Sequence, residues 1–264
     1  MVTQTPLHAG ARTRTRTRTR IASVRPVERA AYLVGGVLIA SGLAHLVVAA
    51  LEPRPWDGPL SWRKAVTFGL SFGTTLGAIT WVSSSLQLRE RVRTWLLAVF
   101  AVDCVVEVAG ITVQAWRHVP SHFNTETRFD TAIAMSLALG GAVLVATLGT
   151  MAVTALRGRV DGPPSVRLAV RAGFALLMAG LAAGVAMIVR GETLIGSGHR
   201  AQAYAEAGFL KWFHAVTLHA VFVLPALAWL LGRTGLDERG RTRVVAAACI
   251  LYLLVAVAVL AVTV

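Results

Sequence analysis

The residues best suited to chemistry lie in the third of a series of long apolar runs. Asp103 and Glu107 are four residues apart, and Gln114 follows seven later. On a helix turning ~100° per residue the three share one face. A carboxylate at membrane depth is costly and must face a protein interior, a partner or water. Such a set offers a proton or cation relay, or an anchor for a polar ligand. The alternative is a buried structural pair, hydrogen-bonded or protonated, and Asp103 lies nearer the cytoplasmic end. Polar residues stand at similar depth on neighbouring runs. Measured from the outer ends at ~1.5 Å of rise per residue, His45 lies ~9 Å deep, Ser71 ~10 Å, His219 ~12 Å and Glu107 ~13 Å. Four helices would then present polar groups to one layer in the outer half of a membrane, either as a pocket or as separately satisfied core residues.

A polar rim is expected above that layer. Lys64 follows Trp62-Arg63, the third connection reads Trp116-Arg-His-Val-Pro-Ser-His-Phe-Asn124, and the sixth run opens Lys211-Trp-Phe-His214. Lys64, Arg117, His122, Asn124 and His214 are donors able to hold an anionic or polar ligand. The plainer reading is an ordinary loop: Pro120 and Ser121 start a turn, Arg117 snorkels, and Asp130 caps the fourth run. His214 and His219 are five apart, ~140° around a helix, so they do not form the i,i+4 pair of a helical zinc site. A haem or copper site would need His219 to join a residue such as His45. Pro225 is expected to bend the sixth run.

The elements that position these residues are membrane helices. Hydrophobic residues make up 55% of the 264, charged residues only 15%, and the mean hydropathy is +0.64. The apolar residues come in runs of ~20, the length needed to cross ~30 Å of hydrocarbon. None alternates with the period of two that a β-barrel strand requires. Seven spans are predicted: Ala30 to Leu51, Ala65 to Leu88, Thr94 to Trp116, Thr131 to Leu156, Ala172 to Val189, Trp212 to Leu231 and Val244 to Val264. The fold class expected is therefore all-α, a polytopic bundle over residues 30–264 preceded by a tail over residues 1–29. Tryptophans 56, 62, 95, 116 and 212 fall at or near the ends, where an amphipathic ring suits the headgroup layer.

Most of the 26 arginines and lysines lie in the tail and in the segments Arg89 to Arg93, Arg157 to Arg171 and Arg233 to Arg243. The positive-inside rule then sets the N-terminus in the cytoplasm and the C-terminus at the outer face. The tail repeat Arg12-Thr-Arg-Thr-Arg-Thr-Arg-Thr-Arg20 cannot bury apolar area and is expected to be disordered, held loosely on anionic lipid headgroups of the inner leaflet. With the bilayer as the main partner, the net charge of +13 reflects topology and not nucleic-acid binding. Cys104 and Cys249 both sit inside apolar runs and read as small core residues.

Several functions are excluded. The only lysines, Lys64 and Lys211, lie at helix ends, so no Schiff-base lysine sits deep in the bundle. No Gly-rich phosphate loop, nucleophile elbow or Cys-x-x-Cys is present. A short internal likeness stands out: Ser41-Gly-Leu-Ala44 with Ala179-Gly-Leu-Ala182, and Ala65-Val-Thr67 with Ala215-Val-Thr217. Both pairs run in the same direction, which allows three helices, a linker helix and three helices, as in parallel-repeat transporters.

The combination Ser61-Trp-Arg-Lys64, Phe68-Gly-Leu-Ser71, Trp116-Arg117, Ser121-His-Phe-Asn124 and His214 with His219 and Pro225 resembles a family of uncharacterised bacterial multi-pass membrane proteins. The resemblance implies a bacterial inner (plasma) membrane and no particular activity. The three-one-three layout is also similar to that of the sugar-transporting semiSWEET/SWEET group, but the Pro-Gln motif is missing and the orientation is opposite.

The leading expectation is an outward-opening pocket for a small polar ligand, cation or proton, in a transporter or sensor. Glu107 would be its buried charge and His219 its titratable neighbour. His45, Ser71 and Gln114 would line it, and Lys64, Arg117, His122, Asn124 and His214 would stand at its mouth. A membrane redox or metal enzyme using His45, His122, His214 or His219 is the second expectation, and a scaffold subunit the third. The sequence specifies no cofactor.

Overall fold

A computed structural model describes residues 24–52 and 54–263. The arginine-threonine repeat, and with it the expected disorder and lipid contact of the tail, lies outside them. Helices account for most of the described chain: α1 (Pro26–Leu51), α2 (Arg63–Ser83), α3 (Glu90–Trp116), α4 (Arg128–Leu156), α5 (Pro164–Gly196), α6 (Arg200–Glu206), α7 (Lys211–Leu231) and α8 (Glu238–Thr263). All but the seven-residue α6 are long and apolar enough to span a membrane, so the protein is a polytopic helical membrane protein. In hydrocarbon each backbone polar group needs a partner within the chain, and the α-helix supplies it locally.

The spans match the sequence reading in number and differ at their ends. α2 stops at Ser83, where Ser84 and Ser85 turn the chain by donating to the carbonyls of Trp81 and Val82. α5 extends to Gly196, well past the expected Val189. Its last turns carry Arg190 and Glu192, charges that obscure a helix continuing beyond the apolar run.

α1 packs along α2, and α3 touches both. α5 packs along α7, and α8 touches both. α4 joins the groups by touching α3 and α5, while α2 also touches α7. The two closest pairs are built on glycine. Gly35 and Gly42 of α1 face Gly73 and Leu70 of α2, where the repeat Gly69-x-x-x-Gly73 lets the backbones meet. On the other side Gly173 and Gly180 of α5 face Val221, Thr217 and Leu218 of α7. Lipid tails are as apolar as leucine, so hydrophobic burial does not drive such contacts, and close approach through small residues does.

The connections at the end where the chain enters α1 are tied together. Leu86 and Val160 form an isolated antiparallel bridge, with the Gln87 N–H donating to the Arg159 carbonyl at 2.9 Å and the Asp161 N–H to the Ser85 carbonyl at 2.8 Å. Arg93 is buried beneath them and donates to the Leu86 carbonyl at 2.6 Å.

The glycine packing is directly testable. A methyl on Gly42 would sit 2.8 Å from the Leu70 backbone nitrogen, whereas one on Gly36 would meet nothing within 4 Å. Gly42→Ala is expected to lower stability by about 1–3 kcal/mol, as overpacking does, and Gly36→Ala to leave it unchanged or slightly raised. Thermal unfolding of the two variants in mild detergent checks this; equal melting temperatures would count against the packing described.

Candidate functional site

The expected single layer of polar groups resolves into separate places. Asp103 and Glu107 lie half-way along α3, both more than nine-tenths buried, with their carboxylates turned toward α4. The opposing residue is Gly140. A methyl there would lie 2.9 Å from Asp103 Oδ1 and closer still to Glu107 Oε1, so the missing side chain of Gly140 makes the room the two carboxylates share. Among the described residues no basic group pairs with either one, and Asp103 Oδ2 is buried with no hydrogen-bond partner.

Gln114, two turns further along the same face of α3, is fully buried but belongs to a different cluster. Its Nε2 donates to Asp130 Oδ1 at 2.8 Å, and Arg117 donates both to Gln114 Oε1 and to Asp130 Oδ1. Thr127 Oγ1 donates to Asp130 Oδ2 at 2.6 Å and accepts the Asp130 N–H at 3.1 Å. The N-cap of α4 is thus Thr127, with Asp130 three residues on as its reciprocal partner. Arg117, expected either at a ligand rim or snorkelling from an ordinary loop, instead joins Gln114 in latching the end of α3 to the start of α4.

His45 is buried against two tryptophans. Trp116 Nε1 donates to His45 Nε2 at 3.0 Å, so His45 Nδ1 carries the hydrogen and donates to the Ser41 carbonyl at 2.7 Å. Both ring nitrogens are occupied. Trp62, expected at the headgroup layer, is only 2% exposed and packs against both the His45 and Trp116 rings at 6.0 and 5.1 Å. His219 departs furthest from expectation. It is exposed on the outer face of α7 in line with Phe222, Val223 and Leu230, its Nδ1 donating to the Ala215 carbonyl at 2.6 Å. It is not a neighbour of Glu107, whose carboxylate is turned to Gly140 of α4, and the face of α7 turned to α5 carries His214, Thr217, Leu218 and Val221 instead. His214 donates from Nδ1 to the Gly180 carbonyl at 2.7 Å and lies against Gly184.

One part of the expected mouth does assemble. His122 is half-buried, held by Ser121 Oγ at 2.9 Å and by the Phe68 ring at 6.2 Å. Burial, and secondarily the Lys64 charge beside it, push its pKa down to about 3. Half-buried Lys64 makes no ion pair among the described residues. Asn124 accepts the Glu126 N–H at 3.1 Å in a local turn, and its buried Nδ2 has no partner. Ser71 is half-buried on α2, one turn beyond Phe68.

The histidines are therefore dispersed: among the described residues no three His, Cys, Asp or Glu side chains converge as a metal ion requires. Asp103 and Glu107 were visible in the sequence. Gly140 was not singled out, although Gly140-Gly141 in mid-span was a signal for close approach. No family model, curated protein or solved structure matches the chain.

Two outcomes follow. Arg117→Gln leaves buried Asp130 short of its cation and is expected to cost about 1–3 kcal/mol, with Arg117→Gln/Asp130→Asn recovering part of it in thermal unfolding. The folded pKa of His122 lies below its ordinary value, so the unfolded chain binds the extra proton. His122 therefore contributes stability above pH 6.5 that is lost as pH falls toward about 3. His122→Gln is expected to flatten melting temperature across that window, and an unchanged acid limb would contradict the burial described.

Proposed function

We propose that this membrane protein binds a proton or a small monovalent cation between Asp103 and Glu107, as the coupling site of a transporter-type protein. The observation that carries the reading is the pair itself: two carboxylates one helical turn apart, buried at mid-span, facing a glycine and, among the described residues, lacking a basic partner. Charge at this depth is expensive, with insertion scales giving about 2.5–3.5 kcal/mol for a single aspartate at a helix centre. Two like charges in one small space add repulsion to that cost. A proton or a monovalent cation held between them relieves the repulsion and neutralises one of the two buried charges, and its arrival and departure is an event that α3 and α4 feel directly. A purely structural acid would be expected to have an arginine or an amide against it, as Asp130 does.

The arginine asymmetry supports a cytoplasmic N-terminus. On that orientation Lys64 and His122 face outward and would be the first groups met by a polar solute from outside. No observation favours the metal or redox reading over this one.

The test uses purified full-length protein in liposomes with a trapped pH indicator, under imposed sodium, potassium or pH gradients. Wild-type protein is expected to give a cation-driven pH change, and Glu107→Gln to reduce it to the level of empty liposomes without loss of melting temperature. If wild type and Glu107→Gln give the same trace under every gradient, the acid pair is structural and the reading fails.

A further inference from the structure

The short likeness between the first and fifth spans extends to both halves of the bundle. Pro26 opens α1 and Pro164 opens α5. Counted from these prolines, Arg29, Gly35, Leu38 and Gly42-Leu-Ala44 recur as Arg167, Gly173, Leu176 and Gly180-Leu-Ala182. The equivalent glycines make equivalent contacts. A Cβ on Gly42 would meet the backbone nitrogen and Cγ of Leu70; one on Gly180 would meet the backbone nitrogen and Cδ2 of Leu218. With Leu70 set on Leu218, α2 and α7 coincide end to end, Arg63 falling on Lys211 and Ser83 on Leu231. The same displacement sets the first residue of α3, Glu90, on that of α8, Glu238. Both open the run Glu-Arg-x-Arg-Thr, at Glu90–Thr94 and Glu238–Thr242. Each glutamate also reaches the start of the first helix in its own half. Glu90 pairs with Arg25 at 3.2 Å, and Glu238 accepts the Ser165 N–H at 2.8 Å.

Two contacts show how the halves meet. Trp81 and Trp229 are equivalent in this register, and their rings meet edge to face at 6.2 Å. A residue that touches its own counterpart lies on a two-fold axis. At the opposite end of the same helices, Asp57 Oδ1 lies 3.6 Å from both Arg63 Nε and Lys211 Nζ, again an equivalent pair. Within each half the helices meet backbone to backbone at glycine, whereas these two contacts between the halves are made by side chains.

We propose that the protein is two copies of one three-helix unit, α1–α2–α3 and α5–α7–α8, set parallel about an axis along the membrane normal. Both contacts are made in this structure, and the copies move as two bodies in which the Asp57 clamp or the Trp81–Trp229 contact parts while the other stays closed. α4 is the linker that permits the second copy to run in the same direction as the first. The motion takes its purpose from the transport reading above, while the duplication stands without it.

The test is cross-linking of full-length Trp81→Cys/Trp229→Cys in native membranes by a bifunctional thiol reagent long enough to take the place of the two indole rings, with Cys104 and Cys249 replaced by alanine and the linked peptides measured by mass spectrometry. The pair is expected to cross-link. Asp57→Asn, by freeing the far end, is expected to raise the rate about two- to fivefold, the effect of an exposed ion pair on a two-state balance. Asp57→Glu is expected to keep the original rate. No cross-link in either background would overturn the meeting of the copies on a common axis, and an unchanged rate in Asp57→Asn would overturn the alternate closure. Neither of the two introduced cysteines nor Asp57 is on α3, where Asp103 and Glu107 lie, so this rate can respond where the liposome assay is silent, and the reverse.

Discussion

Close backbone approach at glycine is the interaction on which the rest of this bundle depends. Between apolar helices in lipid there is no gain from burying one hydrocarbon surface in place of another, so affinity comes from contact density. Gly42 and Gly69 remove the side chains that would hold α1 and α2 apart, and the α1 residues around them then meet α2 along its length. Gly173 and Gly180 do the same for α5 and α7. Each close pair acts as one body. The remaining helices are positioned against these two ridges by ordinary side-chain packing, and Phe100, Met151 and Phe174 fill the space between them.

A buried charge needs a partner more than a neutral polar atom does, and this separates the carboxylates of α3 from the other polar groups of the bundle. His45, His214 and Asp130 look alike in the sequence to Glu107: polar residues in or beside an apolar run. In the structure His45 and His214 donate to main-chain carbonyls, and Asp130 takes hydrogen bonds from Thr127, Gln114 and Arg117. These groups hold helices in place. Among the described residues Asp103, buried like His45 and Asp130, keeps an oxygen without a partner and meets no basic group. A native protein retains a buried orphan of that kind where something else supplies the partner.

The sequence made the membrane class, the number of spans and the carboxylate face of α3 legible, because run length and helical period act within one element. It could not show which faces meet. Depth placed His45, Ser71, Glu107 and His219 in one layer, but depth says nothing of rotation, and the rotation of α7 turns His219 outward while His214 turns to α5. The register of the repeat was obscured for the same reason. Ala65-Val-Thr67 and Ala215-Val-Thr217 match as letters, yet Thr217 faces Gly180 where Gly69 faces Gly42. The true correspondence, Leu70 on Leu218, rests on a contact and not on a string.

The same correspondence explains why the acid pair occurs once. In the register that sets Glu90 on Glu238, Asp103 falls on Leu251, Glu107 on Val255 and Gln114 on Val262. All three are exposed on α8, at 63, 45 and 90%. On α3 this face is covered by α4, which brings Gly140 to the carboxylates and Asp130 to Gln114. No helix of the described chain covers it on α8, so it meets lipid, where a carboxylate has neither a partner nor a neighbour to share a proton with. A duplicated unit thus acquires a polar site only in the copy that the linker helix seals. The presence of α4, more than the composition of either unit, decides where charge can be kept inside this membrane protein.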